Sequence, residues 1–130
     1  MFSRRKIIAT TACMLLLSVA SVSHAQQRVK LEANLSGNTL ASGKAKFESR
    51  GNRQKFSVEI EDAAANTRYR VDVRNSAGLV FRAVMRTNAL GGFDLNRDTL
   101  LGQSVPSISA GDRVIVFDLA ARRVLLQGTF

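Results

Sequence analysis

Five arginines have types and spacings suited to holding an anion: Arg68, Arg70 and Arg74 on one stretch, then Arg82 and Arg86 beyond Asn75-Ser76-Ala77-Gly78. A guanidinium is a planar, permanently charged fork that matches phosphate and carboxylate oxygens. If the two stretches fold back as a hairpin, same-side arginines reach one another across the strands and form a basic stripe. Such a stripe suits polyanions such as lipopolysaccharide or acidic glycans. It also serves a plainer end, keeping an exposed sheet soluble and its edge protected. Nucleic acid is disfavoured, because base stacking needs aromatics and the chain has one Tyr, no Trp and scattered Phe at core-type positions.

A second constellation is Asp94-Leu95-Asn96-Arg97-Asp98, the D-x-N-x-D opening of a calcium loop. Thr99 stands where the loop turns on Gly, Val105 stands at the twelfth position, and Arg97 brings an opposing charge. A polar strand edge accounts for the same residues, so no metal is expected. Glu59, Glu61 and Asp62 are the close acidic cluster. Glycosidase chemistry needs two carboxyl groups across a cleft, whereas Glu59 and Glu61 fall on the polar side of an alternating segment. A carboxylate-based hydrolase is the enzymatic alternative.

Other chemistries are limited by the first 25 residues, which hold the only cysteine, Cys13, and the only histidine, His24. Arg4, Arg5 and Lys6 form a charged start, Ile7 to Ala20 an apolar run, and Ser23-His24-Ala25 a small-x-small site for cleavage after Ala25. The apolar run is interrupted by Thr10, Thr11, Cys13 and Ser18 and falls short of a spanning helix. Residues 1–25 therefore read as a signal peptide, with no transmembrane segment after cleavage. Ser3-Arg4-Arg5-Lys6-Ile7-Ile8 resembles a twin-arginine signal, with Ile-Ile in place of Phe-Leu; the general secretory route is preferred, since nothing here holds a cofactor. A bacterial periplasmic or secreted location follows. Once the segment is gone, Ser-His-Asp, Cys-His and ordinary zinc sites cannot be assembled.

Cleavage leaves 105 of 130 residues, about one domain. Arg4, Arg5 and Lys6 leave with it, so 19 basic residues become 16 against 10 acidic, a formal charge of +6. Without cysteine this domain must be held by core packing and backbone ladders.

The elements that must position the candidate residues are strands. Alternation is cleanest at Phe56-Ser57-Val58-Glu59-Ile60-Glu61 and recurs at Val29 to Leu35, Lys44 to Glu48 and Arg68 to Arg74. Leu79 to Arg86 is apolar on both sides and reads as a central strand covered on both faces. Phe93 and Leu95 make a short strand. Arg113 to Leu119 and Arg123 to Phe130 read as a closing hairpin around Ala120-Ala121, with a helical turn over Leu119 to Leu126 as the alternative. Turn residues at Ser36-Gly37-Asn38, Arg50-Gly51-Asn52, Asn75 to Gly78, Gly91-Gly92 and Ala110-Gly111-Asp112 separate them. The fold class is all-β: an antiparallel β-sandwich of seven or eight short strands over residues 26–130, with a small barrel as the alternative.

Asn66-Thr67-Arg68-Tyr69-Arg70-Val71-Asp72-Val73, preceded by Phe56 to Ile60, resembles the E strand, corner and F strand of a fibronectin type III or related immunoglobulin-like domain. The resemblance implies a sandwich and a binding or spacing role. The terminal Phe130 closes an alternating segment in the way outer-membrane barrel proteins end, although membrane strands need about 9 to 11 residues and aromatic girdles. The sequence thus points to an exported, non-enzymatic binding or structural module without a cofactor, acting on a protein or cell-envelope partner. Polyanion binding and a small outer-membrane barrel are its alternatives.

Overall fold

The computed structural model describes residues 27–130, so the signal segment and its cleavage at Ala25 lie outside the described residues. Strands β1 (Arg28–Leu35), β2 (Ser42–Arg50) and β3 (Arg53–Glu61) form an antiparallel meander, and β6 (Phe93–Asp98) pairs with the free side of β3. The second sheet has the order β5-β4-β7-β8, built from β4 (Arg68–Asn75), β5 (Gly78–Arg86), β7 (Arg113–Asp118) and β8 (Arg123–Thr129). The expected sandwich is therefore the architecture, in two sheets of four strands each.

Period-2 alternation decides which faces meet. Ala33, Leu35, Ala45, Phe47, Phe56, Val58 and Ile60 point inward from the first sheet, and Tyr69, Val71, Val73, Val114, Val116 and Leu126 from the second; all are buried. Phe56 meets Phe81 of the opposite sheet edge to face, with centroids 5.3 Å apart, a preferred aromatic geometry.

The sheets are stitched along one side only. The Ser36 amide donates to the Gln127 carbonyl (3.1 Å) and the Gln127 amide donates back (3.0 Å), joining the end of β1 to β8. Gly37 and Gly128 permit this approach, since a Cβ on Gly37 would collide with the Leu125 carbonyl and one on Gly128 with the Asn34 carbonyl. On the opposite side β5 and β6 remain unpaired edges. Among the described residues the sheets form no closed barrel, which removes the barrel alternative and the outer-membrane reading that needed one. No helix among them is long and apolar enough to cross a membrane. Phe130 instead ties down the chain end: its amide donates to the Asp112 carbonyl, the Gly111 amide donates to the Phe130 carbonyl, and its ring packs partly on the core.

Two expectations change. Leu79–Arg86 is not a central strand: β5 lies at the edge of its sheet, with Leu79 and Val84 both nearly half exposed. The helical alternative at Leu119 to Leu126 loses to the hairpin. Asp118 accepts from the Ala120 and Ala121 amides, Arg122 adopts φ 56°, and β8 then pairs with β7. Ladder pairing outweighs local helix propensity here.

Candidate anion-binding face

The hairpin that the arginines required is present. β4 and β5 pair antiparallel around Ser76-Ala77, where the Asn75 side chain accepts from the Ala77 and Gly78 amides and Gly78 takes φ 133°. Because Tyr69, Val71 and Val73 face the core, Arg68, Arg70 and Arg74 face outward, and Arg82 and Arg86 share that face from β5.

A bulge determines which of them meet. The pairing runs Arg74 to Leu79 and then Val73 to Phe81, so Val80 is an extra residue. With no bulge, Asp72 would lie opposite Phe81 and Arg68 opposite Met85. With it, Asp72 lies opposite Arg82 and Arg68 opposite Arg86, while Phe81 keeps its place in the core. Re-aiming side chains is a common use of bulges.

Asp72 is the residue that stripe reasoning from the sequence overlooked. It is on the outer face yet only 2% exposed, because arginines cover it. Arg82 donates to both carboxylate oxygens, at 2.8 and 3.0 Å. Arg70 Nε lies 3.3 Å from Oδ2 without making a hydrogen bond, and Arg74 stands at 3.9 Å. The Arg70 guanidinium also lies 4.8 Å from the Phe117 ring centroid, within cation–π range. Burial pushes the Asp72 carboxyl up, but the Arg82 bonds and the charges of Arg70, Arg82 and Arg74 outweigh it and hold the group below its ordinary value. The same bonds raise Arg82.

Arg68 and Arg86 are placed differently. They face each other directly, both are exposed, and among the described residues neither has a carboxylate within ion-pair distance. With Asn66, Thr67, Leu119 and Ala120 they line an open depression of about 450 Å³.

The first sheet has the opposite charge pattern. Its outer face pairs Lys30 with Glu48, Glu32 with Lys46, Lys44 with Glu59, and Glu48 with Lys55, a complementary cross-strand arrangement. Arg28 reaches Glu48 at 2.9 Å and Arg53 grips Asp98 at 2.7 and 3.2 Å. The acidic cluster does border a concavity: Glu59, Glu61, Asp62 and Asp94 line a depression of about 400 Å³. All four are exposed, whereas a carboxyl acting as general acid is usually withdrawn from water.

The calcium candidates Asp94, Asn96 and Asp98 lie along one edge of extended β6 rather than around a loop. Asp98 is bound by Arg53 and also caps a short 3-10 turn, Thr99–Leu101, through the Leu100 amide. The Arg53 bond first, then the Leu100 amide, holds the Asp98 carboxyl below its ordinary value. No group of three or more potential metal ligands occurs among the described residues.

The corner that suggested an immunoglobulin-like domain exists locally. The Tyr69 hydroxyl accepts from the Ala64 amide (3.2 Å), while Thr87, 3% exposed, accepts from the Thr67 amide and donates to the Ala64 carbonyl. The connectivity differs: the strand bearing that Tyr lies between its successor and an earlier strand in the immunoglobulin arrangement, but β4 lies between β5 and the later β7. Comparison with protein-family models, curated proteins and solved structures finds no match for this chain.

Proposed function

We propose that this chain is an exported, non-catalytic binding module that holds anionic glycans, including the phosphorylated sugars of lipopolysaccharide, on the arginine face of the β5-β4-β7-β8 sheet. One observation carries this reading: charge is sorted between the two sheets. The first sheet neutralises its lysines across the strands, and of its facing arginines Arg28, Arg50 and Arg53 two are bound by Glu48 and Asp98. On the second, Arg68, Arg70, Arg74, Arg82, Arg86 and Arg113 share a face with a single carboxylate, Asp72. A face that needed only solubility would be served by mixed signs. The signal-like segment, with cleavage after Ala25, supports release through the general secretory route to the periplasm or medium. The loss of His24 and Cys13 with that segment supports a role in binding rather than catalysis.

The test is retention of the exported protein on immobilised heparin and on immobilised lipopolysaccharide. Both columns are expected to hold it at low ionic strength and to release it as salt shortens the screening length from about 30 Å at 0.01 M to about 8 Å at 0.15 M. Passage through both at low salt would refute the reading.

A further inference from the structure

We infer that the anion is gripped at the Arg68–Arg86 end of the face, as a phosphate or sulfate monoester carried on a glycan, while the arginines around Asp72 contribute little. The inference rests on the anionic-glycan reading and narrows it to one site.

Like charges placed directly opposite on neighbouring strands destabilise a sheet, and Arg68 and Arg86 are such a pair. Elsewhere like charges that face each other have an opposite charge beside them: Arg50 faces Arg28 and Arg53, which bind Glu48 and Asp98, Arg74 faces Arg113 but stands 3.9 Å from Asp72, and Glu59 faces Asp94 on one side but Lys44 on the other. For Arg68 and Arg86 nothing acidic lines the depression. Asp118, at the adjoining end of β7, takes the Ala120 and Ala121 amides on Oδ1 and lies beyond ion-pair distance of both arginines. Arg82, by contrast, has its fork filled by both oxygens of Asp72, and Arg70 and Arg74 lean on the same carboxylate.

The base of the site is fixed. Thr67, directly before Arg68, and Thr87, directly after Arg86, are joined by the Thr67 amide on the Thr87 hydroxyl (2.9 Å) and the Thr87 amide on the Thr67 carbonyl (2.9 Å). Arg68 and Arg86 stand directly opposite on neighbouring strands and line one depression, which puts two guanidinium forks within reach of one anion. A monoester group with three terminal oxygens can accept from both forks, whereas a carboxylate has only two oxygens to share.

The experiment measures the affinity of the exported protein for a heparin-derived octasaccharide and for lipopolysaccharide, each before and after removal of its sulfate or phosphate esters. The double variant Arg68→Gln/Arg86→Gln is expected to weaken binding about tenfold or more. Arg74→Gln/Arg113→Gln removes the same charge from the same sheet and is expected to cost no more than about threefold. Arg68→Lys/Arg86→Lys, which keeps charge but loses the fork, should recover only part of the loss. The melting temperature of Arg68→Gln/Arg86→Gln should equal or exceed that of the unmodified protein, because a repulsive pair has gone; this separates loss of the site from loss of the fold. The ligand that loses affinity on ester removal identifies the source. Equal weakening by the two double variants would overturn the site while leaving the anionic-glycan reading standing. Absence of binding by the unmodified protein would overturn the reading itself.

Discussion

Gly128→Ala is expected to destabilise the domain by about 3 kcal/mol, at the upper end of ordinary overpacking costs, and to lower the melting temperature by roughly 10 °C or more. A Cβ at this position meets the carbonyl of Asn34 and the Leu35 side chain. A backbone carbonyl cannot swing aside as a flexible side chain can. The strain falls on the stitch beside it, where Ser36 and Gln127 exchange hydrogen bonds at 3.1 and 3.0 Å. Thermal unfolding supplies the magnitude, and amide exchange supplies the location: the Ser36 and Gln127 amides should lose protection before those of β4 and β7. Unchanged stability would mean that β8 can slide away from β1 at no cost, and that the sandwich does not depend on its stitched side.

The second large effect belongs to Asp72. Asp72→Asn keeps the shape but removes the charge that gathers Arg70, Arg74 and Arg82, and should cost about 2 kcal/mol near neutral pH. The cost stays below that of a fully buried pair because the arginine side chains are 27–42% exposed and can turn to water. Its pH dependence has a definite sign. The Asp72 carboxyl is held below its ordinary value, so its contribution is complete above about pH 4, the unfolded value for Asp, and disappears as pH falls through the lower folded value. The gap in stability between the two proteins should therefore be full at pH 7 and close in acid. Asp98, also held low by Arg53 and the Leu100 amide, retains its acid sensitivity in both. Chemical unfolding at several pH values checks this, and a gap that widened in acid would contradict the network.

Much of the fold was legible because alternation is a direct signature of a sheet with one dry face. Phe56, Val58 and Ile60, and equally Tyr69, Val71 and Val73, show it plainly and all lie in the core. The misreadings share a cause. At Leu79-Val80-Phe81 and at Val124-Leu125-Leu126 the register shifts by one residue, with Val80 and Leu125 as the extra positions. A bulge places apolar residues in a row, and such a row resembles either a strand covered on both faces or a helical turn. A parity test was nonetheless available. A two-residue turn at Ser76-Ala77 pairs Val73 with Val80, yet Phe81, Ala83 and Met85 form the inward set, and the two patterns agree only if one residue is extra.

The arginine stripe was likewise legible, since it needs only the hairpin. Its division was not, because both the burial of Asp72 under three arginines and the unneutralised meeting of Arg68 with Arg86 depend on that shift. Asp94, Asn96 and Asp98 show the converse: a loop-like spacing in the sequence lies along an extended strand, where alternate side chains are about 7 Å apart and do not converge.

The most direct measurement is a titration of the isotopically labelled, exported protein with a heparin-derived octasaccharide, followed by amide chemical shifts residue by residue. Changes are expected to centre on Arg68, Arg86 and the turn at Leu119 to Arg122, with weaker changes along the rest of β4 and β5 and quiet signals from Lys30, Lys44, Lys46 and Lys55 on the opposite sheet. Changes centred on those lysines, or spread evenly over both faces, would contradict an anion site at Arg68 and Arg86.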